Sequence, residues 1–309
     1  MKAVRPWLEL ARISNLPTAW TNVLAGWLLA GGQGNWVSLL WLLLGGSLLY
    51  TGGMMLNDAA DVSYDRQHRK ERPIPSGRVS AGAVWAVSLA FMVAGALSFV
   101  HGAGACPWLV GGLALVILVY DFYHKPWAGS VFVMGSCRTM LVLSAASAVT
   151  GGLDPVGDWR VILRAVALGG YIVGVTLMAR HESRPVQGSG PGGWQKVVGL
   201  FGLSLPVLVA IAMLFFGHYE SGNSYFHKPF PAAVMVLGVA LPVIACVVRA
   251  LRLMRSPPPS NIGRAVGLLL AGVVLVDALA VSLTAPLLAP VFILCFPLLL
   301  LWQRKIAAT

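Results

Sequence analysis

NDAADVSYDRQHRKERPIPSGRVS, residues 57–80, is the most polar stretch of the chain and lies between two apolar runs that are each long enough to cross a bilayer. Asp58, Asp61 and Asp65, three of the 11 acidic residues, stand at i, i+3 and i+7, which on a helix is a single face. A row of carboxylates in a low-dielectric setting repels itself and needs cations. These are either a divalent metal or the basic residues that follow, Arg66, Arg69, Lys70, Arg72 and Arg78. Hard oxygen ligands beside the amide of Asn57 suit Mg2+, which keeps several waters and completes its shell with substrate phosphate. A charge run between membrane helices is commonly no more than a solvated loop. Here the acids begin directly at the end of one apolar helix and the RPIPSG turn leads straight into another, so the expectation is a diphosphate site at the membrane.

Outside this stretch the chain is overwhelmingly apolar. Of its 309 residues 57% are hydrophobic and 11% charged, with a mean hydropathy of +0.77, and apolar runs of roughly 20 residues recur along its length. A single polytopic α-helical membrane domain over residues 1–309 is expected. The net charge of +11 points to membrane topology rather than to nucleic acid, because the basic residues fall mainly in alternate loops. Cys106, Cys137, Cys246 and Cys295 are scattered and read as small apolar packing residues, and the six histidines show no metal-ligand spacing. The apolar run from about Leu16, with Lys2, Arg5 and Arg12 before it, reads as an uncleaved first helix because further spans follow at once.

Several polar residues interrupt the apolar pattern. Asn22 lies within the first segment (about 15–31), where an amide turns toward a helix interface or a polar cavity. Asp121, His124 and Lys125, in YDFYHKPWAG after the fourth segment (about 107–120), emerge on the same side as the acidic stretch. Arg138, in the fifth segment (about 130–150), is roughly eight residues from the preceding loop, too deep at 1.5 Å per residue to snorkel comfortably. It either faces an anion or partners Asp277, which lies in the run VLVDALAV. The last apolar stretch, 265–302, exceeds one span and is expected to divide at Pro286 and Pro290. Placing both termini and alternate loops on the cytoplasmic side leaves only Arg138, Arg160, Arg164 and Lys228 of the 22 Lys and Arg elsewhere.

The pattern N-D-x-x-D-x-x-x-D at a helix end, followed by RPIPSG and a second apolar helix, resembles the first aspartate-rich motif of the UbiA superfamily of intramembrane prenyltransferases. NLPTAWTNVLAG, residues 15–26, is similar to the family's first helix, whose Asn faces the diphosphate. The position of a second acidic motif is occupied by ARHESRPVQGSGPGGWQK, in which only Glu182 is acidic. GSCRTML (135–141) and GVTLMARHES (174–183) resemble a UbiA-like branch encoded in Ebo gene clusters, in which the second motif is similarly reduced.

The resemblance implies an all-α bundle of nine or ten transmembrane helices around a central cavity. It also implies transfer of a prenyl group from an allylic diphosphate to a lipophilic acceptor with Mg2+ as cofactor. By the same resemblance Asn57, Asp58, Asp61 and Asp65 hold metal, and Asp58, Asp61 and Glu182 serve catalysis. Asn22, Arg72, Lys125, Arg138, Arg180 and Arg184 bind substrate. The alternative is non-catalytic binding or transport of an isoprenoid or other amphipathic metabolite, favoured by the reduced second motif.

Overall fold

The structure is a computed structural model and describes residues 4–124, 127–150, 152, 158–182, 193–216, 229–256 and 260–303. These residues fold into helices. In chain order they are α1 (Arg5–Leu10), a 3-10 turn (Ile13–Asn15), α2 (Leu16–Leu29), α3 (Trp36–Ala60), α4 (Val62–His68), α5 (Ala81–Leu97), α6 (Pro107–Tyr123) and α7 (Ser130–Thr150). The second half comprises α8 (Trp159–Glu182), α9 (Gly193–Phe216), α10 (Pro229–Arg255), α11 (Ser260–Ala271), α12 (Val273–Val281) and α13 (Ala289–Gln303). A wider turn, Ser98–Gly102, prolongs α5, and α11 and α12 form one apolar length with a break at Gly272.

Among the described residues, seven of these lengths are long and apolar enough to cross a membrane, and α6 and α13 are shorter apolar helices. The chain is an integral, multi-pass membrane protein. Start signals agree with the sequence chemistry: Pro6, Pro17 and Pro107 sit in first turns, where a missing N–H costs nothing. The side chains of Asn35 and Ser80 cap α3 and α5 by accepting from Ser38 and Ala83 N–H. Pro206, Pro242 and Pro297 lie inside helices, which membrane bundles tolerate because neighbours re-satisfy the freed carbonyls. The expected division of the final stretch falls at residues 282–288, which contain Pro286, while Pro290 occupies the first turn of α13.

Lipid tails are as apolar as Leu, so helices associate here through close packing rather than through hydrophobic burial from water. The crossing of α3 with α5 shows this directly. A Cβ on Gly95 would lie 2.8 Å from the carbonyl oxygen of Gly45, and one on Gly52 would lie 2.9 Å from that of Ser88. Gly135 of α7 and Gly169 of α8 meet in the same way. Outward-facing Leu89, Val93 and Leu97 of α5 remain exposed, as expected of side chains that face lipid.

The position of α2 matters most for function. It packs against α3, α7 and α12, which makes it the common neighbour of both halves of the chain. Trp27, Val23 and Ala19 on α2 are fully buried, and so are Asn22 and nearby Thr18. Polar side chains on the central helix therefore have no water to turn to and must find partners on α7 and α12.

Candidate functional site

The acidic row forms where α3 ends. Helix α3 runs on past Leu56 to Ala60, so Asn57 and Asp58 lie in its last turn, and Asp61 joins it to α4. The backbone bonds Asp61 N–H to Asn57 C=O (3.0 Å) and Asp65 N–H to Asp61 C=O (2.9 Å) carry the helical path through the junction. The three aspartates therefore share a face, as the spacing implies. Asn57, Asp58 and Asp65 are buried, and Asp61 is partly open.

Of the cations that follow in sequence, Arg72 neutralises the row. Its Nη1 donates to Asp58 Oδ1 at 3.0 Å and to Asp65 Oδ2 at 2.8 Å, bridging the two ends of the acidic face. Arg12, from the turn before α2, brings Nη2 to 3.6 Å from the same Asp58 oxygen. Its backbone is left-handed (φ 45°, ψ 47°), the only such non-glycine among the described residues, a conformation that costs about 1–3 kcal/mol. Sequence reasoning counted Arg12 only as N-terminal charge. The signal was its position, four residues before the first apolar helix and so at the same membrane end as Asp58.

Two further elements close over the row. Helix α6 ends beside α3 and places Asp121 Oδ1 where it accepts from Asn57 Nδ2 at 3.2 Å. His124 Nε2 lies 3.4 Å from Asp61 Oδ2. At the end of α8, Arg180 donates through Nη1 to Ala128 C=O (2.9 Å) and through Nη2 to Ser130 Oγ. The guanidinium expected to bind substrate thus also holds the turn that carries His124. Lys125 and Arg184 lie outside the described residues, as do the side chains of His181 and Glu182.

A second polar cluster sits deeper, at the junction of α2, α7 and α12. Arg138 Nη1 donates to Asn22 Oδ1 at 2.7 Å, and Asn22 Nδ2 donates to Asp277 Oδ2 at 2.7 Å. Arg138 Nη2 also reaches Thr18 Oγ1 at 3.1 Å. The sequence left Arg138 between facing an anion and pairing with Asp277. The structure joins it to Asp277 through the amide of Asn22. Tyr50 stands between the two clusters: the Arg138 guanidinium carbon is 5.5 Å from its ring centroid, and its hydroxyl is 3.4 Å from the Arg12 carbonyl oxygen. Nothing in the sequence pattern singled out Tyr50.

Four carboxylates (Asp58, Asp61, Asp65, Asp121) are thus gathered with two guanidinium groups and one imidazole. Among the described residues, no group of three or more His, Cys, Asp or Glu side chains is arranged to hold a metal ion. Mg2+ does not require such a cage, since it is commonly held by one or two carboxylates with phosphate and water completing the octahedron. The donors fit that ion in kind: all are hard oxygens, and the Oδ2 atom of Asp121 is buried without a hydrogen-bond donor. A groove of about 510 Å3 between α9 and α10, lined by Leu200, Phe201, Val243 and Ile244, is wholly separate from this chemistry.

Residues 17–187 match the UbiA prenyltransferase family. A 4-hydroxybenzoate octaprenyltransferase of Paracidovorax citrulli is 29% identical over 163 residues, covering 50% of this chain and 55% of that protein. A digeranylgeranylglyceryl phosphate synthase of Sulfolobus acidocaldarius is 30% identical over 152 residues, covering 49% of this chain and 53% of that protein. The chain spans about half the length of these curated relatives. The apo structure of a UbiA homolog from Aeropyrum pernix K1 superposes with a TM-score of 0.60 at 20% identity, over 86% of this chain and 95% of that one.

Proposed function

Because the chain belongs to the UbiA prenyltransferase family, we propose that it moves a prenyl group from an allylic diphosphate to a lipophilic acceptor inside the membrane. The observation that carries this reading is the acidic face at the end of α3, met by Arg12, Arg72 and His124 at the membrane boundary and backed by Arg138 within the bundle. An allylic diphosphate is anionic at one end and oily at the other, and the site offers it charge at the membrane edge and apolar helices beyond.

In the reaction the allylic C–O bond breaks, its electron pair leaves on diphosphate oxygen, and the carbon bonds to the acceptor, whose displaced proton passes to the released diphosphate. Asn57, Asp58, Asp61 and Asp65 would hold Mg2+, which when bound stabilises the charge gathering on the leaving group. The chain's own cations stabilise the same charge. Arg72, fixed by Asp58 and Asp65, and Arg138, fixed by Asn22 and Thr18, are held in place before substrate arrives. The apolar walls exclude water that would capture an allylic cation. Arg180 supplies further positive charge at the same end, Lys125 and Arg184 are assigned to substrate binding with it, and Glu182 is the only acid of the stretch 180–196. We place this end on the cytoplasmic side, where most of the Lys and Arg fall.

One observation favours a second reading, binding or transport of an isoprenoid without turnover: the stretch 180–196, at and after the end of α8, has a single acid, Glu182, where a second metal-binding set belongs. A radiolabelled allylic diphosphate, given to the purified protein with Mg2+ and a panel of lipophilic acceptors, separates the two. Label transferred to an acceptor, lowered more in rate than in diphosphate affinity by Glu182→Gln, supports the enzyme. Retained label with no product across the panel supports the binder.

A further inference from the structure

The acid at the end of α6 is not explained by the row on α3. Asp121 is 4% exposed, although its neighbours Phe122 and Tyr123 are 51% and 62% exposed, so the carboxylate turns inward where the two aromatic side chains after it turn out. It enters the space where Asn57, Asp58 and Asp61 lie, and the charges that act on it are those of Asp61, Asp58 and Arg12. Among the described residues the cations that meet the row face other acids: Arg72 faces Asp58 and Asp65, Arg12 faces Asp58, and His124 faces Asp61. Asn57 satisfies Oδ1 of Asp121, while Oδ2 meets no donor among the described residues. A buried carboxylate oxygen left without a donor is costly and stays only where something compensates it.

We propose that Asp121 is a ligand for the divalent cation, entering from α6 beside Asn57 and Asp61. This rests on the Mg2+-diphosphate reading above. The reason for a carboxylate at this point lies in the rest of the site. Asp58 and Asp65 are drawn together by one guanidinium, which reduces what they can offer a metal, and the stretch 180–196 holds a single acid, Glu182. Asp121 restores a hard anionic oxygen to the cation from a third helix, and by accepting from Asn57 Nδ2 it fixes the side chain of that residue. The metal-binding set is thereby moved from the loop after α8 to the end of α6.

The test uses the full chain in detergent, with Mg2+ or Mn2+ and inorganic pyrophosphate, and reads metal affinity by Mn2+ magnetic resonance and stability by thermal melting. Asp121→Asn keeps the shape and the acceptor for Asn57 but removes the charge. It is expected to melt at or above the native protein without metal, because an uncompensated carboxylate is gone. It should bind the metal with pyrophosphate at least about tenfold more weakly. Asp121→Glu should recover part of that affinity. Unchanged metal affinity in Asp121→Asn overturns the inference. So does a variant that melts lower without metal or fails to fold, since either marks the carboxylate as partner of a fixed cation. If the native protein itself gains no Mg2+-dependent stabilisation from pyrophosphate, the diphosphate reading fails and this inference fails with it.

Discussion

The geometry of Arg72 turns a charged loop into a built site. One Nη atom bridges Asp58 and Asp65, whose side chains are 9% and 3% exposed, so removing the guanidinium leaves two buried carboxylates facing each other. Breaking a buried pair from one side costs about 3–5 kcal/mol, whereas removing charge from both sides costs much less. Arg72→Gln should therefore lower the melting temperature sharply, and Asp65→Asn in the same chain should restore a large part of the loss. Strictly additive effects in that double-mutant cycle would mean that the bridge contributes nothing. The acids, Arg72, Asn22 and Arg138 were legible in the sequence because ionisable and amide groups in apolar surroundings are rare. Which partner each one takes was not. The Asn22 amide between Arg138 and Asp277, and Arg12 beside Asp58, join residues from distant parts of the chain, the Arg72 bridge turns back from beyond the end of α4, and helical spacing reports only neighbours on the same helix.

At the scale of helices, the close crossing of α3 and α5 sets where the acidic face is delivered. The Cβ of an alanine at position 95 would sit 2.8 Å from the Gly45 carbonyl oxygen and 2.9 Å from the Leu49 nitrogen, and backbone atoms cannot yield as a flexible side chain can. Gly95→Ala should destabilise the protein by about 1–3 kcal/mol and, by tilting α3, weaken diphosphate binding as well. Gly111→Ala is the control, since a Cβ there meets nothing within 4 Å. Equal melting temperatures for the two variants would contradict the account. Most membrane helices were readable from apolar run length, and their bounds fall within a few residues of expectation because caps and prolines mark them. Short α1 and α4 were missed, as neither buries an apolar stripe long enough to leave a pattern, and the break at Gly272 lies in an unbroken apolar run.

For the whole molecule, the account requires the ends of α3, α6 and α8 to lie at one membrane face, since Asn57, Asp121 and Arg180 meet or hold one another's turns there. Single cysteines at positions 66, 122 and 194 should therefore all react with an impermeant reagent from the cytoplasmic side. Labelling of the first from outside would overturn the orientation. The family was legible from 24 residues around the acidic row, because so polar a stretch set directly between two apolar helices leaves a distinct pattern. The acceptor was not, because apolar walls are made of the same residues that face lipid. The central claim is that the acidic face binds the diphosphate of an allylic substrate through Mg2+. The most direct measurement is Mg2+-dependent capture of a labelled allylic diphosphate by the native protein and by Asp58→Asn and Asp61→Asn, each shown to be folded by its melting transition. The account predicts capture by the native protein that chelation abolishes and that each substitution weakens by about tenfold or more. Equal Mg2+-dependent capture by all three would contradict it.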